Sequence, residues 1–390
     1  MIQNEVANDC RIKWERIRQA MQSEGADACL LSTGLNLYYM TGRIFSGWLY
    51  LAVDADPICF VKRPVGIEGD RLRYVRKPEQ IADLLSDFGL PRPTKLLLEA
   101  DEITHSDYER LLAALSPSAT GNASAIMRAS RMIKTPWEIG QFRISAERHA
   151  LTYAAIPECF REGMTDLEFQ YEIERRMRLN GSLGIFRAFG DMDIFMGSIL
   201  AGDNAQEPSP YDFALGGAGA SPSIPIGASG LKLVSGMSVM VDMAGNYTAY
   251  MTDMTRTFAV GKLPQLAYDM HQAAINILQE LEIRLRPGAA CSELYKIAAR
   301  MAEKARMTDY FMGAKQQAAF VGHGIGLHIN EPPVISPRSK DELHPGCVIA
   351  LEPKFVLPSV GALGIEDSYV ITDAGAERLT QVERDLKALA

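Results

Sequence analysis

Four carboxylates stand in stretches where a soluble chain normally places only apolar side chains. Val239-Met240-Val241-Asp242-Met243 reads as an apolar strand that ends in an acid. Asp253 follows eleven residues later, in Met251-Thr252-Asp253-Met254-Thr255-Arg256-Thr257-Phe258, with a Gly245-Asn246 turn signal between them. The two acids can therefore sit on neighbouring antiparallel strands. Ile349-Ala350-Leu351-Glu352-Pro353 and Gly364-Ile365-Glu366-Asp367-Ser368-Tyr369-Val370-Ile371 each set a glutamate inside an apolar strand. Val321-Gly322-His323-Gly324-Ile325-Gly326 places a histidine among glycines, where little bulk crowds the ring.

Any one of these acids alone is most simply a hydrogen-bonded acid at a strand end. Together they pose an electrostatic problem. A buried, unpaired carboxylate is costly or is forced to protonate. Converging carboxylates repel, and one of them should have a strongly raised pKa unless a cation neutralises the group. A pair of divalent cations would do so. Oxygen-rich ligation with a single imidazole suits Mn, Fe or Co better than a structural zinc, which prefers Cys and His.

The flanking sequence divides into two regions. Residues 11–24 carry apolar positions at helical spacing, and Gly25 stops the run. Ala28–Leu31 is a short apolar run followed by a Gly34–Asn36 turn, and residues 48–53 and 58–61 flank Asp54-Ala55-Asp56-Pro57 as a hairpin. A helix near 78–88, a strand at Lys95–Glu99 and a helix over 106–116 complete an α/β pattern. Ser116–Ser124 reads as a connector. Thr135-Pro136-Trp137-Glu138 is a capping box with Pro at the first helical position, opening a helix over 137–160. Thr165-Asp166-Leu167-Glu168 caps a second helix that ends near Asn180-Gly181. Residues 201–230 are dense in Gly, Ala, Ser and Pro, and long loops inside compact domains are usually functional. The expected domains are 1–128 and 129–390.

Composition narrows the partners. Lys+Arg number 40 and Asp+Glu 48, a net charge of −8, which is not the footprint of a general nucleic-acid binder or of a protein drawn to anionic membranes. With 47% hydrophobic and 23% charged residues, the chain is of the ordinary globular class. The six cysteines (Cys10, Cys29, Cys59, Cys159, Cys291 and Cys347) form no Cys-x-x-Cys pair, as expected of free thiols in a reducing compartment. The polar N-terminal MIQNEVANDC RIKWERIRQA has no apolar signal core, so a cytoplasmic location is expected.

Asp242, Asp253, His323, Glu352 and Glu366, with Gly322–Gly326, Leu351-Glu352-Pro353 and Gly364–Asp367 around them, resemble the five-ligand signature of the pita-bread metallopeptidases. That group includes methionine aminopeptidase, aminopeptidase P and prolidase (Xaa-Pro dipeptidase), and creatinase shares the fold. Asn36-Leu37-Tyr38-Tyr39-Met40-Thr41-Gly42 is similar to the creatinase-type N-terminal domain, and Ile133–Ile139 to the usual opening of the catalytic domain. The resemblance implies an α+β chain: a creatinase-like α/β N-terminal domain, then a pita-bread catalytic domain working as a homodimer. It also implies two divalent metal ions (Mn, Co, Fe or Zn) that bridge a hydroxide for attack on a peptide carbonyl. Asp253 and Glu366 would bridge the ions, Asp242 would complete one, and His323 with Glu352 the other. Glu352 is expected to shuttle the proton to the leaving amine. Arg256 would hold a substrate carboxylate, or else a nearby acid in a structural pair.

Three histidines that peptidases of this group use on substrate are missing. Gly202-Asp203-Asn204 is present, but no histidine occurs between 150 and 270; Asn330 stands seven residues after His323, and Ala319 four before it. His328 lies two residues before Asn330, so in an extended segment both point to one side and either could contact a substrate carbonyl. His105, His149, His271 and His344 read as surface or packing residues. The expected substrate is a small Xaa-Pro peptide. The alternatives are a small molecule cleaved at a C–N or C–S bond on the same fold, and a catalytically silent binding module.

Overall fold

A computed structural model describes residues 2–188 and 196–389. Two compact units divide the chain, Met1–Arg131 and Met132–Ala390. Among the described residues no helix is long and apolar enough to cross a membrane.

The first unit contains helix α1 (Ile2–Ser23), strand β1 (Ala28–Leu31), helix α2 (Gly34–Thr41), strands β2 (Ser46–Ala52), β3 (Ile58–Arg63) and β4 (Leu72–Tyr74), helix α3 (Ile81–Ser86), strand β5 (Lys95–Leu98), helix α4 (His105–Leu115), strand β6 (Ala119–Asn122) and helix α5 (Ala123–Met132). The strands form one mixed sheet in the order β4-β3-β2-β1-β5-β6. Ala-Cys-Leu-Leu of β1 is apolar at every position because it lies between β2 and β5 with both faces covered. Leu30, Phe60, Leu96 and Leu98 pack against Ile81, Leu85, Leu111 and Leu115 of α3 and α4. Two readings change. The Gly34–Asn36 turn is the first turn of α2, whose start is set by the buried carboxylate of Glu99. That carboxylate accepts from the backbone N–H groups of Ser32 (2.6 Å) and Thr33 (2.9 Å) and from Asn36 Nδ2 (2.7 Å). The connector contains the edge strand β6, whose small polar residues remain partly exposed while their backbone pairs with β5.

The second unit opens with helices α6 (Pro136–Ala154), α7 (Ile156–Cys159) and α8 (Asp166–Leu179). Both capping boxes form: Thr135 Oγ1 accepts from Glu138 N–H while Glu138 accepts from Thr135 N–H, and Thr165 and Glu168 do the same. The helix expected over 137–160 breaks after Ala154, because Pro157 has no N–H for the Tyr153 carbonyl and its ring crowds it. Strands β7 (Gly197–Ala201), β8 (Ser238–Gly245) and β9 (Thr252–Val260) follow, then helices α9 (Gln265–Glu282) and α10 (Cys291–Lys304). The remainder is β10 (Gly322–Gly324), β11 (Glu331–Val334), β12 (Val348–Leu351), β13 (Lys354–Leu357), β14 (Gly361–Gly364), β15 (Asp367–Thr372), β16 (Gly375–Arg378) and β17 (Lys387–Leu389). They assemble as β17-β9-β8-β7, β11-β10-β12-β15-β16 and the hairpin β13-β14. A core of α9 and α10 side chains (Met270, Leu278, Leu294, Ala298) packs with Phe355, Leu363 and Tyr369. The first unit is thus α/β and the second α+β, as expected.

Candidate metal centre

The pleat gathers the acids. Asp242 on β8 pairs with Thr255 on β9, and Asp253 pairs with Ala244, so the two acids are two register steps apart and share one face. His323 sits mid-strand in β10, between β11 and β12. Its flanking glycines are there for room: a Cβ on Gly322 would lie 2.4 Å from the Ala350 carbonyl oxygen, and one on Gly324 2.2 Å from that of Pro332. Glu352 and Glu366 stand just outside their strands rather than inside them. Glu352 follows the last residue of β12, and Glu366 occupies the step between β14 and β15, bridged to Thr255 of β9.

The five side chains converge into two ligand groups, Asp253–His323–Glu366 and Asp242–Glu352–Glu366, with Glu366 common to both. They differ in what already fills them. In the first group His323 Nδ1 is 3.1 Å from the Gly324 carbonyl, which fixes the ring proton on Nδ1 and leaves Nε2 as a bare lone pair. Nε2 lies 3.9 Å from Asp253 Oδ2, 3.5 Å from Glu352 Oε1 and 4.0 Å from Glu366 Oε1. Those are close to the separations of neighbouring ligands bonded at about 2.0–2.2 Å to one ion. Glu366 Oε1 is buried and without a hydrogen-bond partner. A lone pair and an orphaned carboxylate oxygen facing one another need a cation between them, so the donor set fits a divalent ion.

The second group holds a cation of the chain's own. Lys354, on β13, is fully buried and donates through Nζ to Asp242 Oδ2 (2.9 Å), Glu352 Oε2 (2.5 Å) and Glu366 Oε2 (3.2 Å). Burial alone would push its pKa down, but Asp242, Glu352 and Glu366 together hold it well above the ordinary lysine value. Burial, then the neighbouring acids Glu366 and Asp242, raises Asp253 well above the carboxylate range. Glu366 is pushed up to about 8 by burial, against the pull of Lys354, and Glu352 is raised by burial. Burial lowers His323. Thr255 Oγ1 supports Glu366 by donating to Oε2 (2.8 Å), and Ser368 Oγ ties Asp253 by accepting from its N–H (2.9 Å) and donating to its carbonyl (2.8 Å).

Lys354, Thr255 and Ser368 escaped the sequence reading. Lys354 gave a usable signal: a lysine in Leu351-Glu352-Pro353-Lys354-Phe355-Val356-Leu357 is as anomalous as an acid in an apolar strand. Arg256 stands elsewhere. Its five donors go to Asp367 Oδ1 and to the carbonyls of Thr255, Glu366, Val382 and Glu383, leaving none for a ligand. Asn330 lines the cavity above the centre, with Phe186, Phe213 and Phe320. His328 is not among the lining residues; it is buried, and its N–H donates to Glu331. The 201–230 stretch forms part of that wall through Phe213, Leu215 and Ile226. Asn204 of the Gly-x-Asn motif pins it, donating to the Gly227 carbonyl (2.9 Å) and accepting from Ala218 N–H (2.8 Å).

Known proteins resemble this chain in sequence and fold. Residues 140–373 match metallopeptidase family M24, and residues 13–133 match the creatinase/prolidase N-terminal domain. The Xaa-Pro dipeptidase of Pyrococcus furiosus is 26% identical over 379 residues, covering 95% of this chain and 98% of that one. An uncharacterised peptidase of Bacillus subtilis is also 26% identical, over 392 residues, covering 96% and 99%. Solved structures share the fold: an Xaa-Pro dipeptidase from Bacillus anthracis (TM-score 0.79, 23% identity, 97% and 100% covered) and aminopeptidase P from E. coli (TM-score 0.73, 19% identity, 96% and 96% covered). With the family model spanning more than half its length, the chain belongs to metallopeptidase family M24, its catalytic unit preceded by a creatinase/prolidase N-terminal domain.

Proposed function

We propose that the chain hydrolyses the bond before proline in short Xaa-Pro peptides, as a metal-dependent dipeptidase or aminopeptidase. The observation that carries the reading is the open ligand group: the His323 lone pair, Asp253 and the orphaned Glu366 oxygen face one another around a space that fits a divalent ion. Mn, Co or Fe suits this donor set best, and such an ion supplies an acidified water and a polarised carbonyl when bound. The dinuclear form expected from the sequence would draw on Asp242 and Glu352 as well.

The chain's own groups do the remaining work. Glu352, with Oε1 toward His323 and Oε2 on Lys354, is placed to take a proton from the attacking water and return it to the leaving amine nitrogen. Asn330 lines the cavity wall, and we assign it, of the His328/Asn330 pair, to the substrate carbonyl. Phe186, Phe213 and Phe320 exclude water and offer an apolar surface to a proline ring. We further propose that the protein acts as a cytoplasmic homodimer, with the two units of the chain as its domains. Free cysteines throughout the described residues support the compartment.

The test is a panel of Xaa-Pro dipeptides and longer Xaa-Pro-Xaa peptides, assayed with added Mn or Co. Release of proline, or of the N-terminal residue, is the expected result. Metal-loaded protein that turns over no peptide would reject it in favour of C–N or C–S cleavage of a small molecule, the reading that Asn330 and Ala319 in place of histidines favours.

A further inference from the structure

Lys354 stands where a second ion would have to go. Its ammonium is within 2.5–3.2 Å of one oxygen from each of Asp242, Glu352 and Glu366, the three carboxylates of the second ligand group. An ion bonded to those oxygens at about 2.0–2.2 Å would share one hole with the ammonium. Two cations in contact, among side chains that are mostly buried, repel strongly. Nor does the side chain have an exit: Lys354 is 0% exposed. Its stem is seated by a bare glycine. Lys354 pairs with Gly364 across the β13–β14 hairpin, where a Cβ would come 2.8 Å from Lys354 Cα and 2.9 Å from its Cγ. The other group is the opposite case. The two oxygens of Glu366 divide between them: Oε2 is taken by Lys354 and Thr255, and Oε1 is left without a partner on the His323 side.

We propose that Lys354 is a resident cation of the centre: the chain binds one divalent ion, at Asp253, His323 and Glu366, and the lysine ammonium replaces the second. The inference rests on the metal-hydrolase reading above and changes its stoichiometry. Four carboxylates then face a divalent ion and one ammonium rather than two divalent ions. Glu352 is held by an amino group through Oε2 instead of by a metal, which makes Lys354 a positioning residue for the proton-transferring carboxylate.

Counting metal tests this without recourse to activity. The full chain is stripped with a chelator, reloaded with excess Mn²⁺, desalted and measured by elemental analysis and by electron paramagnetic resonance. Wild-type protein should retain one Mn per chain with the spectrum of an isolated ion, whereas Lys354→Ala should retain two with an exchange-coupled spectrum. Two coupled ions in the wild type would overturn the lysine assignment and leave the hydrolase reading intact. A single ion in well-folded Lys354→Ala would also overturn it. No Mn in either protein would instead reject the metal-hydrolase reading on which the inference depends. The wild-type count and spectrum decide the matter even if the variant fails to fold.

Discussion

At His323 the two ring nitrogens have separate duties, and the same division of labour recurs through the site. One nitrogen is spent on the Gly324 carbonyl so that the other is available; one oxygen of Glu352 is spent on Lys354 so that the other faces His323. Glu352→Gln keeps the shape and removes the proposed base. Steady-state kinetics should show kcat lower by roughly 10²–10⁴ with little change in the melting curve, the usual span for a lost general acid–base. Arg256 makes the contrasting case. Replacing it by Met strips a partner from Asp367, which is 0% exposed, so denaturant unfolding should show a loss of about 3–5 kcal/mol, as for broken buried ion pairs. KM of the surviving protein should not move, whereas a substrate-binding role would raise it. His149 reports on pH. Burial, with Arg256 adding to it, lowers its pKa to about 3, and Nε2 has no partner. The folded state therefore holds it neutral: its contribution is complete above the unfolded value near 6.5 and is lost as pH falls toward 3. Between pH 7 and pH 5 this amounts to about 2 kcal/mol, measurable by urea melts and reduced in His149→Gln. The four acids and His323 were legible because each violates the apolar pattern around it. Lys354 violates it too, but a lone cation in a strand has no spacing rule to join. Arg256 could not be assigned in advance, because four of its five acceptors lie more than a hundred positions away.

Among the elements, those with local signals were readable and those defined by distant packing were not. The capping boxes at Thr135 and Thr165 formed as the sequence implied, since every group in them lies within four residues. Thr135→Ala should lower unfolding free energy by about 1 kcal/mol in a denaturant titration and leave metal content unchanged. The β8–β9 pairing was legible for a similar reason: a turn signal and two acids fix the register. The start of α2 was not, because Glu99, sixty residues downstream, holds its first turn. Nor was the placement of Glu366, which owes its direction to the step from β14 to β15 and a bridge to β9 rather than to strand alternation. Gly364 links this scale to the centre. Gly364→Ala puts a methyl against Pro353 and the Lys354 stem, so we expect a loss of about 1–3 kcal/mol by denaturant unfolding, in the range of overpacked cores.

At the scale of the whole chain, two units with separate cores were anticipated from composition shifts and the Ile133–Ile139 opening, while the strand orders were beyond reach. Nothing local in β1 says that β5, some sixty residues later, lies beside it. Nor does the 201–230 stretch announce in its sequence that it walls the cavity. The catalytic unit gathers its ligands from five separate segments between Asp242 and Glu366, so the centre exists only once the three sheets have assembled. These segments build one open ion site beside a lysine-filled one. Anomalous diffraction from crystals grown with Mn²⁺ tests it most directly. One strong peak within bonding distance of His323 Nε2, Asp253 and Glu366 Oε1, with Lys354 still against Asp242 and Glu352, is the predicted result. A peak in the place of the ammonium, or none at His323, would contradict it.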